Sequence, residues 1–229
     1  MLNSDLMKET WQVVATQFPL ALWETIYSTL IATLFAVLIG LPLGIILVIG
    51  KKDGIRPLNP VILKIIDLII NILRSVPFLI LLVVVIPLTR LIVGTAVGTV
   101  ASIVPLTIAS FPFVCRLVES SLNEVDGNLI EMAQSVGASP LQIVWKVLLP
   151  EGLPSLLSNL TIAITTILSY QAMSGIAGGG GLGKVAINYG FYRYKYSIML
   201  ISVIVLVILV QLIQSIGSFI ARKCDKRLK

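Results

Sequence analysis

Residues 126–150 read DGNLIEMAQSVGASPLQIVWKVLLP. They form the longest stretch between apolar runs that still carries the marks of folded backbone. Asp126 is an N-cap type of residue, and the residues after it predict a short helix to about Val136. Gly137 then falls at the C′ position, where the chain turns left-handed. Ser139 and Pro140 read as the N-cap and first residue of a second short helix, with Gln142 completing a capping box. Pro150 and Pro154 are expected to interrupt regular helix again. The prediction is a bent pair of short, mostly apolar helices lying between two membrane spans.

What surrounds this elbow is apolar. Hydrophobic residues make up 57% of the chain and charged residues 12%, with a mean hydropathy of +1.00. Soluble domains carry about a quarter charged residues, so the expected class is an all-α integral membrane protein. The net charge of +6 gathers at the ends of apolar runs, as membrane topology demands, and does not point to nucleic acid. There is no histidine, which removes the commonest general base and metal ligand. Cys115 and Cys224 lie far apart and read as reduced, structural thiols. No cleavable signal peptide is expected at the start.

About five spans are expected. Residues 1–24 read as an interfacial amphipathic segment, with Leu2, Leu6, Trp11, Val14, Phe18 and Leu22 at helical spacing. Span one covers residues 25–49 and is interrupted by Gly40, Pro42 and Gly44. A basic loop with Lys51, Lys52 and Arg56 follows. Span two covers residues 61–88, kinked at Pro77, with Asp67 and Arg74 on one face near its cytoplasmic end. These three are candidate gate or interface residues, Arg74 being paired or snorkelling. Residues 87–94 read as an outer loop and residues 91–115 as span three. Span four, residues 153–176, holds the polar interior, and Ser169, Tyr170, Met173 and Ser174 are candidate substrate-pathway contacts. Their alternative role is to bond helix to helix. Residues 175–196 read as an outer loop, flexible at its glycines, and residues 197–220 as span five. A basic tail, residues 221–229, closes the chain. Positive charges favour the first loop, the elbow's side and the tail, placing the N-terminus outside and the C-terminus in the cytoplasm.

With the layout in view, the elbow resembles a known family. Glu131-Met132-Ala133, Gly137 and Val147-Leu148-Leu149-Pro150 match the E-A-A, G, I-x-L-P loop of ABC importer permeases, Met132 and Val147 being departures. Arg74-Ser75-Val76-Pro77-Phe78-Leu79 is similar to a segment of the amino-acid type. SVPFLILLVVVIPLTRLIVGTAVGT (75–99), IVPLTIASFPFVCRLVESSL (103–122), the run from Leu149 to Gly183 and YGFYRY (189–194) look like methionine uptake permeases. The resemblance implies a type I importer bundle in the bacterial inner membrane. It also implies a cytoplasmic coupling helix carrying Glu131, Met132, Ala133, Gly137, Ala138, Ser139, Pro140 and Leu141. Its implied partners are two ATPase subunits holding ATP and magnesium, and an extracytoplasmic binding protein or lipoprotein. The implied substrate is methionine, including the D-isomer. Five spans are few for a whole pathway, so a homodimer is expected.

Two decoys are rejected. Gly178, Gly180 and Gly183 fit G-x-G-x-x-G, and with Lys184 part of a P-loop. A dinucleotide site needs a preceding strand and a later acid, and a P-loop needs Ser or Thr where Val185 stands. No carboxylate pair, Cys/His cluster or nucleophile–base set lies in any span, so neither an enzyme nor a metal centre is expected. Rival readings are a permease of the same build for another amino acid or small polar solute, and a channel or scaffold outside this class.

Overall fold

Helix α1 (Leu2–Ile49) crosses both the segment read as interfacial and the first span without a break. The structure, a computed structural model, describes residues 2–52 and 54–225, with the side chains of residues 2–9 left aside. The side chains of Leu2 and Leu6 of the expected amphipathic set, and residues 226–229 of the basic tail, lie outside what is described. The expected boundary at residues 24–25 is thus no feature of the backbone. Gly40, Pro42 and Gly44 do not interrupt α1 either. Gly40 and Gly44 face helix α5 (Thr99–Asn123). A Cβ on Gly40 would lie 2.8 Å from Phe111 O, and one on Gly44 2.7 Å from Val118 Cγ1. Small residues here let two helix backbones meet where lipid supplies no hydrophobic drive.

The second expected span is broken. Helix α2 (Pro60–Ser75) starts on Asn59, whose side chain accepts from Val61 N, and ends ahead of extended Val76. Pro77 then opens α3 (Phe78–Val84). The residue before a proline is pushed out of helical backbone, and this stops α2. Helix α4 (Ile86–Val93) follows, with Pro87 in its first turn and left-handed Gly94 as its cap. Residues 87–94 are therefore mostly helix and not a loop, and the third span begins at Thr99 rather than 91. Proline at a helix start and glycine at its end write a short helix of their own.

After α5 come α6 (Gly127–Ser135) and α7 (Pro140–Ile143). A π turn, Val144–Leu148, then runs directly into α8 (Leu149–Ser174). The expected interruption at Pro150 and Pro154 does not occur. Leu149 N donates to Val144 O, five residues back. That wider turn absorbs the register change around Pro150, which brings no N–H of its own, and Pro154 sits inside the helix. A 3₁₀ turn (Gly175–Ala177), α9 (Gly181–Val185) and a second π turn (Ala186–Phe191) precede α10 (Tyr196–Cys224). Among the described residues, four helices are long and apolar enough to cross a membrane, five if α2 and α3 count as one bent span. The chain is a multi-pass membrane protein.

The contacts divide into two units. One holds Met1–Leu34, Pro77–Ile108 and Ile164–Ile213; the other holds Phe35–Val76, Ala109–Ala163 and Gln214–Lys229. In the first, Phe18, Ala21, Leu182, Val185 and Ile198 form a buried cluster. In the second, Leu47, Ile70 and Cys115 do, with Leu43, Leu63 and Ile66 against them. Three buried hydroxyls are satisfied by their own helices: Thr25 donates to Ala21 O, Thr33 to Thr29 O and Ser202 to Ile198 O, at 2.8–2.9 Å. This is how such residues enter an apolar medium at low cost.

Candidate functional site

The elbow forms as the sequence spells it. Asp126 accepts from Asn128 N at 2.9 Å and starts α6. Val136 closes that helix, and Gly137 follows with φ +78°. Side chains rarely adopt that conformation, and nothing lies within 4 Å of a Cβ built on Gly137. The glycine is there for its backbone, not for space. Ser139 N donates to Gln142 Oε1 at 2.8 Å while Gln142 N donates to Ser139 Oγ at 3.4 Å, a complete capping box. Pro140 begins α7 and Leu141 follows it. Between Asp126 and Pro140 the backbone is thus fixed by three local devices and needs little packing.

What the elbow presents outward is apolar. Met132 is 63% exposed, Val136 81%, Leu141 72% and Trp145 66%. Glu131 and Ala133 lie on the same short helix, with Ala138 just past the turn. Four large apolar side chains are thus held out on a short, locally capped frame.

Behind the elbow, the same unit holds a charge network that local sequence spacing did not disclose. Asp67 pairs with Arg116 of α5, not with Arg74. Arg116 also donates to Glu119 Oε2 at 2.6 Å and Asn71 Oδ1 at 2.8 Å. Lys51 Nζ reaches Glu119 at 3.4 Å and Asn123 Oδ1 at 3.1 Å. Arg74 is exposed and makes no ion pair among the described residues. The guanidinium fork ties α2 to α5 through planar, charge-assisted bonds. Arg116→Leu should therefore cost about 1.5–3 kcal/mol, the range for hydrogen bonds to charged groups. Melting of the detergent-purified protein measures it. Arg116→Lys, which keeps the charge and loses the fork, should fall between; an unchanged midpoint in Arg116→Leu contradicts the tie.

The pathway candidates fall in the other unit with Pro77. Ser169 and Met173 are exposed on one face of α8, one turn apart. Tyr170 is half-buried and stacks on Phe78, ring centroids 4.7 Å apart and planes 5° from parallel. Ser174 is fully buried, and its hydroxyl donates to Gln171 O at 2.7 Å. The four do not share one surface. Ser169 and Met173 point out, while Ser174 faces the packed segment behind α8.

That packed segment replaces the expected flexible turn. Residues 179–183 are all buried. Gly181 N donates to Glu24 Oε2 at 2.8 Å and Leu182 N to Thr25 Oγ1 at 2.9 Å. The fully buried Gln171 donates to Gly180 O at 3.1 Å, and Gly98 N to Gly178 O at 2.9 Å. The glycines allow backbone to lie against backbone. Glu24 and Thr25 were missed as partners because they sit in α1, far off in sequence, whereas Gln171 is nine residues from Gly180. The cue was Gln171, one of the polar side chains of the expected span four.

Residues 40–229 match the family of binding-protein-dependent transport system inner membrane components. A probable D-methionine transport system permease protein of Vibrio cholerae is 51% identical over 229 residues, covering 99% of this chain and 95% of that one. Its Haemophilus influenzae counterpart is 44% identical over 217 residues, 95% of this chain and all of the other. Among solved structures, a methionine ABC transporter in inward-facing conformation superposes with a TM-score of 0.87 at 45% identity, covering 89% of this chain and 94% of that chain.

Proposed function

The chain belongs to the family of binding-protein-dependent transport system inner membrane components, and from that premise we propose that it carries methionine, in both L and D forms, into the cell. It is the permease subunit of an ABC importer and not an enzyme. Two copies enclose the pathway, the N-termini face outward and the C-termini face the cytoplasm. Two separate ATPase subunits hold ATP and magnesium, and a binding protein delivers substrate from outside. Residues 25–220 form the transport domain, with the interfacial segment 1–24 before it and the basic tail after it.

One observation carries the coupling. The elbow of residues 126–150 is rigid by its own caps and leaves Met132, Val136, Leu141 and Trp145 uncovered. An ATPase groove that receives those side chains can push the elbow as a body when ATP closes the ATPase pair. The π turn makes the elbow continuous with α8, the helix carrying Ser169, Tyr170, Met173 and Ser174. In this reading α8 is the element that passes movement at the elbow on to those residues. Binding then supplies only as much shift as it favours one state over the other. The substrate assignment draws on the relatives' names and the likeness to a methionine transporter.

The test is uptake by proteoliposomes holding permease, ATPase and binding protein. Labelled L-methionine should accumulate only with internal ATP, and D-methionine should compete. Accumulation of a different amino acid that excess methionine does not reduce would overturn the substrate, and flux without ATP would overturn the importer for a channel.

A further inference from the structure

A cavity of about 240 Å³ lies between α1 and the segment that joins α9 to α10, wholly within the first unit. Gln17 and Glu24 line it from α1, and Lys184, Asn188, Tyr189 and Arg193 line it from the other side. Glu24 is partly engaged, since its Oε2 accepts from Gly181 N at 2.8 Å. Lys184 and Arg193 are exposed and make no ion pair among the described residues. The Arg193 guanidinium lies over the Tyr189 ring, 4.6 Å from its centroid. That contact holds the cation at the cavity wall through its face and leaves the edge of its fork open.

Water solvates an exposed cation well enough, so the two charges alone call for no ligand. The surroundings narrow the reading. Leu20 also lines the cavity and is 61% exposed. Further along α1, Trp23, Ile31 and Leu34 are exposed as well. At about 100° per residue these four fall within an arc of about 80°. A polar recess therefore opens at Leu20 onto an apolar track. Trp23 adjoins Glu24, and Tyr192 and Tyr194, both exposed, flank Arg193. Exposed Trp and Tyr gather at headgroup depth in membrane proteins. Two cations and one carboxylate leave the recess one positive charge in excess. A soluble anion would use the recess and have no use for the track.

The geometry points to this recess as a binding site for one anionic phospholipid, its phosphodiester on Lys184 and Arg193 and an acyl chain along Leu20, Trp23, Ile31 and Leu34. A phosphodiester carries one negative charge and two unesterified oxygens, which match the excess charge and the guanidinium fork. Gln17 and Asn188 supply amide donors and acceptors for the hydroxyls of a headgroup. In the orientation proposed above the lipid belongs to the outer leaflet. The site does not depend on which solute the permease carries.

Lipid titration of the assembled transporter in detergent, read by native mass spectrometry, tests it. The first phosphatidylglycerol bound should be held at least tenfold more tightly than the first phosphatidylcholine. Lys184→Gln combined with Arg193→Gln should erase that preference. Arg90→Gln, which removes an exposed cation outside the cavity, should leave it intact. Lys184→Arg combined with Arg193→Lys should keep most of it, as a role in folding alone would not require. Inorganic phosphate in large excess should not displace the lipid. A wild type that holds both lipids equally, or a preference that survives the double Gln variant, overturns the site. Displacement by inorganic phosphate overturns the lipid in favour of a plain anion. A double Gln variant that keeps its lipid and loses only the binding protein gives the cations to protein docking and overturns the proposal. Loss of methionine uptake with lipid binding intact counts against the transport reading alone.

Discussion

Gly183→Ala should abolish assembly of the folded permease, although it adds a single methyl group. A Cβ on Gly183 would be driven into the backbone of Ala172 in α8, its nearest atom the carbonyl oxygen. That oxygen belongs to a helix and cannot move away as a side-chain tip could. Overpacking of a well-filled site costs about 1–3 kcal/mol and more when backbone must yield. Folded domains hold only about 5–15 kcal/mol in reserve. Gly175 is bounded in the same way, by the backbone of Gly183 and Lys184, whereas Gly180 meets the side chains of Thr99 and Glu24. The measurement is the yield of monodisperse permease after gentle solubilisation, expected to fall more than tenfold. Gly127→Ala is the control, because nothing lies within 4 Å of its Cβ. Equal yields from the two variants would mean that residues 178–183 are not the packed layer described.

The second large effect belongs to the elbow. Met132→Asp combined with Leu141→Asp should leave the permease folded and remove its ATPase. Both side chains are mostly exposed, so neither change opens a cavity in this chain. In a protein interface, anchors of this type each carry about 2 kcal/mol or more, and a carboxylate buried without a partner adds its desolvation. Together the two should weaken association by about a thousandfold, at about 1.4 kcal/mol per factor of ten. Co-purification of the ATPase should be lost and ATP-driven uptake should fall to background, while the permease elutes and melts as before. Retention of both ATPase and uptake would remove the elbow from the coupling scheme.

The elbow was legible because its structure is local. Asp126, Gly137, Ser139, Pro140 and Gln142 act within four residues of themselves, and such short-range chemistry can be read in line. Pro150 misled for the converse reason. The rule that proline ends a helix assumes α register, and the π turn at residues 144–148 changes the register just ahead of it. The glycines of residues 178–183 misled because their role is set by Glu24, Thr25, Thr99 and Gln171, which only the fold brings near. Helical spacing put Asp67 and Arg74 on one face, but the partner of Asp67 is Arg116 on another helix, which also bonds Asn71 and Glu119. Pro87 and Gly94 were read as loop residues when together they begin and end a short helix. Periodicity told which segments enter the membrane; it could not tell which backbone lies against which.

The most direct measurement places a photoactivatable side chain at Leu141 and irradiates the assembled transporter. Docking of the elbow on the motor subunit predicts one dominant adduct between permease and ATPase, its yield changing when ATP is bound. Irradiation that leaves the ATPase unlinked in every nucleotide state, with the same probe reacting instead with lipid or with the binding protein, would contradict the account at its root.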